Sequence, residues 1–120
     1  MEDRLSCADF RARRERMGLS QRDAYKGIRA SKMSMYYWES PDSSTHKRIP
    51  QRAWDWLKSK EHEFNAIVDG IVASADTPHV DGFALLTYPK DSDMLRAATR
   101  AAGERLMARG IEVMYVYDED

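Results

Sequence analysis

The chain has 120 residues, 42% of them hydrophobic and 32% charged, and a net charge of −1. That size and mix describe one domain, or a small domain with an appendage, and exclude a disordered chain. No run reaches the roughly 18 apolar residues of a membrane span. The first ten residues lack the apolar core of a secretory signal, and the single Cys7 offers neither a disulfide nor a cysteine pair for a metal. A soluble chain of the cytoplasm is expected, with no membrane partner.

In chain order, "SCADFRARRERMG" predicts a short helix. Ser6 can cap it with Asp9 three residues on, Phe10 and Met17 share a face, and Gly18 is a natural stop. "SQRDAYKGI" predicts a second helix, with Ser20 as cap and Asp23 at the third position. "SKMSMYYWE" predicts a third, capped by Ser31 and ended ahead of Pro41. "SPDSSTHKR" is loop chemistry. Pro50 suits the first turn of a fourth helix, along which Trp54, Leu57, Phe64, Ile67, Val68, Ile71 and Val72 recur near helical period. Glu61 and His62 interrupt that stripe, which leaves one long helix and two shorter ones both open.

The rest alternates in type. "ADTPHVDG" reads as a turn and "FALLTY" (83–88) as a short buried strand. "DSDMLRAATRAAGERLMARG" reads as a helix started by Asp91 or Ser92, with a stripe of Leu95, Ala98, Ala102 and Leu106 and a stop at Gly110. "IEVMYVY" (111–117) reads as a second strand. A crossover helix makes the strands parallel. Both strands look apolar on both faces, and a two-stranded sheet is marginal alone. Dimerisation is the expected remedy. The expected fold class is therefore mainly α with a small α/β tail. Residues 1–60 form an N-terminal helix-turn-helix bundle, and residues 61–120 carry a β-α-β dimerisation unit.

Charge divides the same way. Residues 1–60 hold 14 Lys+Arg against 8 Asp+Glu, a net +6, and residues 61–120 hold 5 against 12, a net −7. A basic half suits an anionic partner such as nucleic acid, and an acidic half faces away from it. On a helical wheel, Met35 and Trp38 fall on one side of the third helix as a core stripe. Lys32, Met33, Tyr36 and Tyr37 fall on the other.

"RRERMGLSQRDAYKGIRASKMSMYYWES" resembles the Cro/C1-type (XRE) helix-turn-helix family. The matches are Arg14, Gly18, Leu19, Ser20, Gln21, Ser31, Trp38 and Glu39. The chain departs from the family pattern at Arg13, Ala24, Tyr25 and Arg29, the last standing where a turn glycine is usual. In layout the whole chain is similar to phage anti-CRISPR-associated repressors, whose C-terminal part makes the dimer.

The resemblance implies a role for each matched residue. Gln21, with Arg22 beside it, holds a phosphate and braces the third helix. Lys32, Met33 and Tyr37 lie where relatives read bases, with Tyr36 beside them, and Ser31 at the helix start is counted with them as a DNA-binding candidate. Arg14 and Glu39 form a structural ion pair. By position rather than by resemblance, Lys47 and Arg48 stand in the loop after the third helix, where they can clamp phosphates. The resemblance further implies an autoregulatory transcriptional repressor that binds double-stranded DNA as a homodimer on an inverted repeat, with RNA as a second nucleic acid some relatives bind.

Two alternatives belong beside it: a helix-turn-helix antitoxin, and a protein-interaction module on the same scaffold. Enzyme chemistry is not expected. His46, His62 and His79 lack ligand spacing, and no phosphate loop or nucleophile motif is present. No cofactor or metal is called for.

Overall fold

Three serines start the first three helices. In a computed structural model, which describes residues 6–41, 48–75 and 82–118, Ser6 caps α1 (Cys7–Arg16) by accepting the Asp9 amide at 3.0 Å. Ser20 caps α2 (Gln21–Ile28) through a complete capping box: its hydroxyl accepts the Asp23 amide, and the Asp23 carboxylate accepts the Ser20 amide. Ser31 caps α3 (Lys32–Glu39) by accepting the Ser34 amide at 3.0 Å. Each cap satisfies a donor the helix cannot, for about 1 kcal/mol.

The stops are as local as the starts. Gly18 follows α1 at φ 75°. Ser40 ends α3 in extended backbone, φ −72° and ψ 136°, as the residue before a proline should. α2 ends differently. Its C-cap, Arg29, sits in the left-handed region at φ 66° and ψ 47°, which costs a residue with a Cβ about 1–2 kcal/mol. Arg29→Gly relieves that strain but loosens the unfolded chain by about 0.4–1 kcal/mol. A net gain of about 0.5–1 kcal/mol is expected, read as a higher midpoint in thermal unfolding.

Two compact units divide the chain, Met1–Glu61 and His62–Asp120. The first contains α1, α2, α3 and the opening turns of α4 (Gln51–Ser74). Its centre is Phe10, Met17, Met35 and Leu57, all fully buried. Phe10 meets Trp54 edge-on, with centroids 5.2 Å apart. Ala24 is fully buried, and its neighbour Tyr25 is half-buried. The small residue therefore faces in and the large one faces out.

α4 is one uninterrupted helix of 24 residues. Pro50 immediately precedes it, and its carbonyl accepts the Ala53 and Trp54 amides at 3.0 and 3.4 Å. The interruption at Glu61 and His62 does not break the helix, because both are accommodated. His62 is exposed. Glu61 takes the Arg13 guanidinium in two 2.8 Å bonds, while Arg13 also reaches Asp9 at 3.0 Å. That pairing, Glu61 first, raises the Arg13 pKa above its ordinary value.

In the second unit β1 (Phe83–Thr87) and β2 (Glu112–Val116) pair in parallel, Phe83 opposite Glu112 through Thr87 opposite Val116. α5 (Asp93–Ala108) joins them, with Ser92 as its cap. Side chains alternate between faces along each strand. Ala84 and Leu86 are buried, and Tyr115, opposite Leu86, lies against α5. A Cβ at Gly103 would stand 2.8 Å from Tyr115 Cζ. Burial pushes the Tyr115 phenol up from its ordinary pKa, with Glu104 adding.

One sequence expectation needs correction here. Leu95 does not join the buried stripe of α5 and is 39% exposed. It sits in the first turn, lining a concavity with Thr87–Ser92 beyond the strand ends. The buried face is instead Ala97, Ala98, Thr99, Ala102, Gly103 and Leu106. β2 lies open in the single chain, since none of its residues is buried and Met114 is 44% exposed. The architecture is mostly helical with a small two-stranded sheet at the C-terminal end. No helix among the described residues is long and apolar enough to cross a membrane.

Candidate nucleic-acid interface

α3 is two-sided. Met35, Trp38 and Glu39 are buried, at 0, 5 and 4% exposure. On the other side Lys32 is exposed, and Met33 and Tyr36 are 58 and 52% exposed. Tyr37 is half-buried and meets Tyr36 edge-on at 5.6 Å. Ser31, Lys32, Met33 and Tyr36 line an open concavity of about 630 Å³ whose walls are almost wholly apolar.

The inner side fixes the orientation of the outer one. Glu39 accepts from Arg14 Nε and Nη2 at 2.7 Å each, and from Gln21 Nε2 at 3.0 Å. Arg14 Nη1 also donates to the Leu19 carbonyl at 2.6 Å. One carboxylate thus ties α3 to α1 and α2. A fork of this kind sets both distance and angle. No buried side-chain polar atom among the described residues lacks a partner.

The candidate residues fall into groups. Gln21 is half-buried, with its amide bonded to Glu39, so the bracing half of its implied role has a partner in the fold. Arg22 beside it is exposed. The Ser31 hydroxyl accepts from the Ser34 amide and donates to Ser34 Oγ, so it serves the helix start first. Lys32, Met33 and Tyr36 come together around the concavity. Arg48 is exposed ahead of α4. Lys47 lies outside the described residues, as do His46 and His79. No group of three or more His, Cys, Asp or Glu gathers as a metal site among the described residues.

Three supports of the α2–α3 pair were not singled out in the sequence. Arg52, in the first turn of α4, donates to the Ile28 carbonyl at the end of α2 at 3.4 Å. Trp56 lies over α2, where a Cβ at Gly27 would stand 2.9 Å from its Cε2 and closer still to its Nε1. Cys7 is buried and donates from Sγ to the Tyr37 carbonyl at 3.9 Å. Burial pushes that thiol up from its ordinary pKa, and Glu39 adds to the shift. The available signal was Gly27, since a lone glycine inside a helical pattern costs about 1 kcal/mol against alanine. Compared with family models, curated proteins and solved structures, the chain matches none.

Proposed function

We propose that the chain is a sequence-specific DNA-binding repressor. In this reading α2 and α3 are a helix-turn-helix of the Cro/C1-type (XRE) kind, α3 enters the major groove, and the chain represses its own operon. The observation that carries it is the two-sidedness of α3. A buried three-way bond holds its inner side, and Lys32, Met33 and Tyr36 project from the other. A recognition helix needs such rigid presentation, with its N-terminal residues outermost. The net +6 of residues 1–60 suits a phosphate backbone.

The second unit is the dimerisation element in this reading. Its support is the open β2, with Met114 exposed on the strand and Tyr117 exposed just beyond it. A symmetric dimer reads an inverted repeat with half-sites about 34 Å apart.

The test starts with selection from a pool of random duplexes, followed by affinity measurements on the selected duplex across a salt series. Binding should weaken linearly in log salt. Arg22→Ala should lower that slope by about one and weaken all sequences alike, as loss of one phosphate contact requires. Salt-independent binding, or no enriched duplex, would overturn the reading. The exposed Met33 and Tyr36 would then favour a protein-interaction module, because Met and Tyr are enriched at such interfaces.

A further inference from the structure

We infer that α3 reads pyrimidine methyl groups, so that each bound half-site places a thymine beneath Met33 and Tyr36. This rests on the DNA-binding reading and names what that face selects. The inference comes from counting what α3 can offer a base pair. Direct readout of guanine uses Arg or Lys, and of adenine Asn or Gln. Of these the helix, KMSMYYWE, contains Lys32 alone, and nothing that reads adenine.

The remaining polar groups are mostly committed. The Glu39 carboxylate is buried and takes three donors. The Gln21 amide nitrogen, the nearest candidate on α2, is bonded to that same carboxylate. The Ser31 hydroxyl is engaged with the start of the helix. Lys32 is the only charged residue α3 exposes.

What α3 does offer is apolar surface with a shape. Met33 and Tyr36 lie three apart and so on one face. Both are more than half exposed, and with Lys32 and Ser31 they enclose the 630 Å³ concavity. In the major groove the one apolar group on a base edge is the thymine C5-methyl. A flexible thioether conforms to such a group without needing a fixed geometry. Lys32 at the rim would orient the helix on a neighbouring guanine or phosphate, and the methyl would supply the discrimination the helix lacks in hydrogen bonds.

The experiment uses the full chain and the duplex enriched from the random pool. Each thymine is replaced singly by deoxyuridine, which removes the methyl and keeps every hydrogen bond. At least one position per half-site should lose about fourfold in affinity, the factor one buried methyl-sized group carries. Met33→Ala should bring the thymine-to-uracil ratio at that position to one. Its folding should be intact, because the side chain is 58% exposed, and thermal unfolding checks this. A duplex bound with the expected salt slope but indifferent to uracil at every position would overturn methyl reading and leave DNA binding standing. A uracil effect that survives Met33→Ala would overturn the assignment to this face. Failure to enrich any duplex would remove both proposals together.

Discussion

Glu39→Ala is expected to destabilise the first unit by about 3–5 kcal/mol, the usual cost of removing one partner of a buried ion pair. The Arg14 and Glu39 side chains are 7 and 1% exposed. Without the carboxylate, Arg14 keeps only the Leu19 carbonyl as a near partner of full quality, with Glu15 at 3.8 Å on a half-exposed side chain. A buried guanidinium with most of its donors unmatched is the source of the penalty. Gln21 loses its acceptor in the same step.

Urea unfolding followed by circular dichroism measures the loss, and a change below about 1 kcal/mol would show the pair to be dispensable. The double variant Arg14→Met with Glu39→Leu should recover most of it, because apolar residues of similar volume replace such pairs at little net cost. On the DNA-binding reading the recovered variant should bind DNA poorly. Apolar packing is not directional, and orientation is what the fork supplies to α3.

Lys32→Ala is expected to act on binding rather than folding. Specific affinity should fall by about 1–3 kcal/mol, roughly 5- to 150-fold, with relaxed preference at one base pair. Lys32 is exposed at the first position of α3, so stability should stay within about 0.5 kcal/mol of the parent. Competition with single-base variants of the selected duplex separates this from Arg22→Ala. A Lys32→Ala variant that weakened every duplex equally would make Lys32 a phosphate contact instead, and would move base recognition onto Met33 and Tyr36 alone.

Local chemistry was the legible part of this sequence. Ser6, Ser20 and Ser31 each cap the helix their position announces, and of the two starts open for α5, Asp91 and Ser92, the cap is Ser92. A cap depends on three or four consecutive residues, and a single sequence contains all of them. The split of α3 into Met35 and Trp38 against Lys32, Met33, Tyr36 and Tyr37 was legible for the same reason, as helical geometry alone sorts those side chains, although Tyr37 proves half-buried.

What depended on distant partners was harder to read. Whether α4 broke at Glu61 could not be decided from its own stripe, because Glu61 is satisfied by Arg13, 48 residues earlier. Leu95 joined a stripe by spacing, but burial at a helix's first turn depends on where the neighbouring strands end. A strand's composition shows that it can be buried and leaves open whether anything covers it. Within the candidate site, the ion pair of Arg14 with Glu39 came from a family resemblance. Arg52, reaching across from another helix, left no mark in the spacing.

The contact of Trp56 with Gly27 changes what surface exposure means at one position. Gly27 is solvent-exposed, on a helix where alanine would ordinarily be preferred by about 1 kcal/mol. Exposed helical sites usually tolerate almost any residue. Here the indole of Trp56 occupies the space a side chain would need, so substitution must displace the ring that α4 lays over α2. Tolerance at residue 27 is therefore governed by a tryptophan on another helix. A surface position has acquired the mutational character of a core one.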